Sequence, residues 1–181
     1  AANDFDVVTA QDTALFTEAG LAEFDAVVFN STTGDVLSDT EQAVFEDYIQ
    51  AGGGFVGLHS ATDTEYSWPW YNGLVGAYFE SHPAQQNATI KVEDNVHPST
   101  KHLGDKWQRF DEWYNFKDMK RNDLHVLLSL DEKSYTGGAD GAEHPISWCQ
   151  NYDGGRSWYT GGGHTDESYS DPAFLEHLLG G

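Results

Sequence analysis

The sequence predicts an α/β fold, with a mostly parallel central sheet, helices on both faces and a late antiparallel hairpin. Three observations carry this. DAVVFN (25–30) and GFVGLH (54–59) are continuous apolar runs, the pattern of strands buried on both faces. The segment between them repeats its apolar residues at helical spacing, giving a strand–helix–strand unit. Near the end, Asp153-Gly154-Gly155 separates two strand-like runs, a strong hairpin signal.

The elements follow in order. DFDVVTA (4–10) is a short strand candidate. Thr17 opens a short helix with Leu21 and Phe24 on its inner side. Ser38 and Glu41 form an S-x-x-E capping box. Val44, Phe45, Tyr48 and Ile49 then mark the buried face of a helix that Gly52 stops. Residues 61–85 are rich in aromatics and show no clear period. ATIKVED alternates as a half-exposed strand does. WQRFDEWYNF alternates too, with Trp107, Arg109, Asp111, Trp113 and Asn115 on one face and Glu112 and Tyr114 on the other. HVLLSLD reads as a buried strand, and HPISWCQNY and RSWYTGGG form the hairpin arms. Asp171 caps a last helix that has Pro172 in its first turn and ends at Gly180. No repeat, linker or low-complexity stretch interrupts the 181 residues, so one domain over 1–181 is expected.

Composition narrows the function. Hydrophobic residues at 39% and aromatics at 14% argue against disorder. Nine basic residues face thirty acidic ones, for a formal charge of -21. That balance opposes binding to nucleic-acid phosphates and to anionic membranes. No apolar run is long enough to span a bilayer, and no basic, apolar leader is present. The single cysteine, Cys149, sits in a strand-like run and reads as a small core residue.

Ligands of open parallel sheets collect beyond the carboxyl ends of the strands. His59 lies at such an end, where a sharp strand-to-helix turn would present its ring as an elbow presents a nucleophile. If RSWYTGGG runs with the central strands, His164 falls at the same rim. His144, the first residue of the antiparallel partner, falls there too. Glu167 follows His164 by three residues. His59, His164, Glu112 and Glu167 are therefore the candidate catalytic residues. His82, His144, Asp63, Tyr66, Trp113 and Tyr114 are candidate substrate contacts, the aromatics by stacking on sugar rings. Trp68 and Trp70 belong to the same aromatic stretch. His97, His102, His125 and His177 read as surface or packing residues.

GGGFVGLHSATDTEYSWPWYNGLVGAYFESHP, DEWYNF, HPISWCQNYDGGRSWYTGGGH and HTDESYSDPAFLEHLLGG together resemble the trehalose-utilisation (ThuA-like) family over almost the whole chain. The resemblance implies a flavodoxin-like, class I glutamine amidotransferase-like fold and a role in carbohydrate metabolism. It also implies an extracellular or secreted setting, with a cytoplasmic one as the alternative, and other domains of a longer chain. Carried over by position, the amidotransferase elbow cysteine falls on His59, and its His and following Glu fall on His164 and Glu167. Without a thiol at the elbow, thioester chemistry has no nucleophile, so glutamine hydrolysis is not expected. The chain begins at what resembles the family's second strand, so the family's first strand and helix are expected to lie outside these residues, whether truncated from the sequence, absent or supplied otherwise.

Three chemistries follow. An imidazole titrates near ~6.5, which suits proton transfer to and from a sugar or an oxidised sugar derivative, with a carboxylate orienting the ring. His59, His82 and His164 with a carboxylate are also the donor types that hold a divalent metal such as zinc with an open position for water. The remaining reading is a non-catalytic module binding a small carbohydrate or polysaccharide through its aromatics.

Overall fold

The computed structural model describes residues 5–181. Seven strands form one sheet in the order β1-β2-β9-β8-β7-β4-β5. The strands are β1 (Ala26–Asn30), β2 (Gly54–Leu58), β4 (Gln86–Val92), β5 (Lys106–Asp111), β7 (His125–Leu130), β8 (His144–Tyr152) and β9 (Gly155–Thr160). The pairs β1–β2 and β2–β9 are parallel, and every pairing from β9 to β5 is antiparallel. Since directions alternate from β9 outward, β1, β2, β9, β7 and β5 all point the same way. Only β8 and β4 run against them. A second sheet pairs β3 (Tyr78–Ser81) with β6 (Asn115–Lys117) antiparallel.

Local signals explain the boundaries. Helix α1 (Glu18–Leu21) starts where the Thr17 side chain accepts from the Gly20 N–H. The Glu41 carboxylate accepts from both the backbone N–H and the hydroxyl of Ser38, at 2.8 and 2.6 Å, and fixes the start of α2 (Asp39–Gln50). In α4 (Pro172–Gly180) the Asp171 carboxylate accepts from Ala173, and Pro172 occupies the first turn. The hairpin turns at Asp153 and Gly154, both with positive φ (46° and 96°), as the tight primed turn requires.

Helices cover both faces. Phe45 of α2 and Tyr71 of α3 (Pro69–Val75) meet Phe55 of β2 edge-on. On the opposite face α4 brings Phe174 and His177 under Trp107 and Trp158. Alternate residues of one strand point to opposite faces, so Val56 and its neighbour Trp158 turn away from Phe55.

Three expectations change. DFDVVTA forms no strand over residues 5–10, and Asp4 lies outside the described residues. Phe5, Val7 and Val8 are exposed there. DAVVFN is a strand, but β1 is the sheet edge and Val28 is 53% exposed, so its apolar run is not buried on both faces. WQRFDEWYNF is not one strand. It leaves the large sheet after Asp111, whose carboxylate takes the Glu112 N–H that a ladder would otherwise use, and re-enters pairing in the small sheet at Asn115.

His177 gives the core an acid-sensitive point. Its Nδ1–H donates to the Ser99 carbonyl at 2.8 Å and its Nε2 accepts from Thr160 Oγ1 at 3.0 Å, which describes a neutral ring. Burial pushes its pKa down to about 3. The Ser99 bond opposes this, and the charges of Arg109, His102 and His97 reinforce it. Above ~6.5 neither folded nor unfolded chain protonates this group. Between that value and about 3 the unfolded chain binds a proton that the folded one refuses. Stability is therefore lost as pH falls through this window, by about 1.4 kcal/mol per pH unit from this residue. Denaturant unfolding at pH 7, 6 and 5 is expected to show a flatter acid slope for His177→Gln than for the natural protein. Equal slopes would contradict this assignment.

The charge of -21 sets a second expectation. The acids repel one another across the compact state. Raising salt shortens the Debye length from about 10 Å at 0.1 M to about 3 Å at 1 M. Tm is expected to rise with sodium chloride over that range, by about 2–4 °C for each ~1 kcal/mol of repulsion relieved. Scanning calorimetry across the series checks this, and a flat or falling Tm would refute it.

Candidate functional site

Because β2, β9 and β5 point the same way, their carboxyl ends share one rim. Residue His59 follows β2, residues Gly161–His164 follow β9, and Glu112 follows β5. Three segments far apart in sequence thus deliver imidazole, imidazole and carboxylate to one place.

His59 opens a 3-10 turn (His59–Asp63) directly after β2. Its φ is +49°, the left-handed region that a side chain other than glycine's enters at a cost. The strain is held by its surroundings. Tyr159 Oη donates to the His59 carbonyl at 2.7 Å, and Tyr71 Oη donates to the Ala61 carbonyl at 2.7 Å. His59 Nδ1 lies 3.1 Å from the Gly161 carbonyl. A carbonyl only accepts, so Nδ1 carries the proton, and the neutral ring turns the lone pair of Nε2 into the site. Burial holds this imidazole below its ordinary pKa. The Gly161 carbonyl, Asp111 and Glu112 act against that, and His164 adds to it.

His59 Nε2 is 3.1 Å from His164 Nδ1 and 3.4 Å from Glu112 Oε2, and His164 Nδ1 is 3.2 Å from Glu112 Oε2. His82 Nδ1 approaches the other carboxylate oxygen, Oε1, at 3.3 Å. The side chains of His59 and Glu112 are 4% and 9% exposed, whereas those of His164 and His82 are 37% and 42% exposed. The site therefore has a dry base and a wet mouth. The Tyr114 ring lies 4.4 Å from the His59 ring, centroid to centroid, and 5.9 Å from that of His82. Each of His59, Glu112 and His164 offers one atom of a kind that can ligate a metal.

Asp111 organises this arrangement. It is fully buried, and Oδ1 accepts from the Glu112 and His164 N–H groups at 3.0 Å each. Oδ2 accepts from the Gly163 N–H at 2.8 Å and from Arg109 Nη2 at 2.9 Å. One carboxylate thus ties the end of β5 to the loop after β9. Gly163 takes part at φ +105°, a conformation open to glycine. Arg109 is buried between the rings of Trp107 and Phe174, 4.7 and 4.2 Å from their centroids.

Asp111 and Arg109 did not figure among the sequence candidates. The available signal was an opposite-charge pair two residues apart on one strand face.

Other candidates lie elsewhere. His144 begins β8 at the expected rim, but its ring is fully buried away from the cluster. Its Nδ1 faces Glu132 Oε1 and its Nε2 faces the Tyr114 carbonyl, both at 2.8 Å. It supports the backbone of Tyr114. Glu167 sits on the exposed 3-10 turn Asp166–Ser170, outside the converging set, so the carboxylate beside His164 is that of Glu112. Trp113 is fully buried with Nε1 donating to the Gln86 carbonyl, which leaves it no face for a sugar. Tyr114 is also buried, with its ring against the imidazoles. Asp63 and Tyr66 form a pair at 2.6 Å, and Tyr66 is 40% exposed, but its ring packs on that of Tyr78 at 4.9 Å and has Lys117 Nζ over it at 4.8 Å. Trp68 and Trp70 stack on each other and donate to Glu46 and Asp153, away from His59. His82 is outside the set of three that converge on one point, because it takes the opposite oxygen of Glu112 and faces the Pro83 carbonyl at 2.9 Å. Cys149 lies within β8, and burial pushes its thiol pKa up.

Comparison with known proteins agrees with this architecture. The family model described as ThuA, trehalose utilisation, matches residues 1–181. A ThuA-like protein of Bacteroides uniformis is 28% identical, with a TM-score of 0.78 over 94% of this chain and 73% of that one. One from Parabacteroides merdae is 22% identical, with a TM-score of 0.72 over 88% and 68%. A protein of Salmonella typhimurium described as cytoplasmic shares the fold at 11% identity, with a TM-score of 0.67 over 93% and 76%. No curated protein is similar enough to count as a match. No helix among the described residues is long and apolar enough to cross a membrane.

Proposed function

This chain belongs to the ThuA family, described as trehalose utilisation, and from that premise we propose that it is an enzyme transferring protons to and from a sugar or an oxidised sugar derivative at His59, Glu112 and His164. The observation that carries the reading is the approach of His59 Nε2, Glu112 Oε2 and His164 Nδ1 to within 3.1–3.4 Å of one another. His59 Nε2, unprotonated and buried, is the base that takes a hydroxyl or carbon-bound proton. Glu112 stabilises the imidazolium that forms. His164, at the exposed mouth, exchanges protons with water. The burial of Trp113 and Tyr114 removes two of the aromatic faces that a purely binding module would use.

The test is incubation with a panel of sugars and their keto derivatives, with products followed by NMR. The expected result is turnover of at least one member. Sugar binding by calorimetry without any product would overturn the enzyme reading in favour of a carbohydrate-binding module.

A further inference from the structure

We propose that His59 Nε2, Glu112 Oε2 and His164 Nδ1 bind one zinc ion, with a fourth position open towards the exposed side of His164. This deepens the reading of the same site: with the ion bound, His59 Nε2 would be a ligand and a metal-held water would replace it as the proton acceptor, whereas in the ion-free site Nε2 is itself the base. It rests on the geometry of the site, not on its turnover.

The first ground is the donor balance. The Gly161 carbonyl takes the Nδ1–H of His59, so Nε2 presents a lone pair. Glu112 Oε2 presents another. A neutral His164 supplies at most one proton from Nδ1, and it faces both acceptors at 3.1 and 3.2 Å. That single proton leaves His59 Nε2 and Glu112 Oε2, 3.4 Å apart, without a donor between them. A cation placed among the three satisfies all of them at once.

The second ground is size. Four ligands at about 2.0–2.1 Å in a tetrahedron lie about 3.3–3.4 Å from each other. The three edges here are 3.1, 3.2 and 3.4 Å. This triangle is one face of such a tetrahedron with little adjustment. Calcium and magnesium prefer all-oxygen shells, so two imidazole nitrogens and one carboxylate oxygen select zinc or a metal of similar character.

The third ground is support behind the ligands. Metal-bound histidines commonly donate their other N–H to a carbonyl or carboxylate, which fixes ring orientation. His59 does so with Gly161 at 3.1 Å. Behind Glu112 and His164, one Asp111 oxygen accepts from both of their backbone N–H groups. The exposure of His164 provides the entry path that a metal site needs.

Three ligands with an open position is the arrangement of catalytic zinc sites, in which the ion lowers the pKa of a bound water.

The experiment is calorimetric titration of the chelator-treated protein with zinc chloride, repeated with cobalt(II) and read by visible absorption. One equivalent of zinc and the intense spectrum of tetrahedral cobalt are expected. His59→Gln, Glu112→Gln and His164→Gln should each weaken zinc by about 10-fold or more. His82→Gln, at the other oxygen, should weaken it less than any of these. Circular dichroism identifies the folded variants, and His164→Gln, the most exposed ligand, keeps the test decisive if a buried variant fails to fold. Absence of stoichiometric zinc binding, or binding that survives His164→Gln unchanged, would overturn the proposal. The titration reads the ion whether or not any sugar is turned over, so failure of the metal and failure of the enzyme reading give different results.

Discussion

Replacing Asp111 with alanine is expected to lower the unfolding free energy by about 3–5 kcal/mol, the usual cost of stranding one partner of a buried ion pair. Arg109 would remain buried between Trp107 and Phe174 with its main counter-charge gone, and the Glu112, Gly163 and His164 N–H groups would lose their acceptor. For a chain of this length, Tm should fall by roughly 10 °C. The loss divides into charge and hydrogen bonding. Arg109→Met removes the orphaned cation, so the Asp111→Ala/Arg109→Met double variant should be less destabilised than the sum of the two single changes. Thermal unfolding of the four proteins measures that coupling. A loss below about 1 kcal/mol for Asp111→Ala would mean that this carboxylate does not hold the site together.

Glu112→Gln carries the largest expected effect on turnover. The amide keeps the size of the side chain and removes its charge. The imidazolium that forms on His59 then loses its partner at 3.4 Å, and His82 loses its own at 3.3 Å. General acid–base groups contribute about 10²–10⁴-fold, so kcat should fall within that range on any sugar the natural protein turns over. KM should change less, because the interaction is gained as charge develops in the transition state. Steady-state kinetics on the folded variant decide the matter. An unchanged kcat would remove Glu112 from the chemistry.

Much of the fold was legible because its signals are local. Ser38 with Glu41, Asp171 with Pro172, and Asp153 with Gly154 each fix a boundary through neighbouring atoms. His59 was legible as an elbow because the apolar run before it must end where it does. The rest depends on contacts between distant segments. DAVVFN reads as buried, yet exposure of β1 is decided by its place at the sheet edge. The rim position of His144 follows from strand direction, but the pleat turns its ring towards Glu132. Glu167 is close to His164 in sequence, while Glu112 is the acid brought there, by β5. Asp111 escaped notice because its donors at Gly163 and His164 are more than fifty residues away.

The most direct measurement is a crystal structure of the protein soaked with a sugar it binds. The account predicts a sugar oxygen or reacting carbon within about 3–3.5 Å of His59 Nε2 and the Glu112 carboxylate, on the side where His164 is exposed. A sugar seated on Tyr66 or Trp70, with the imidazoles untouched, would contradict it.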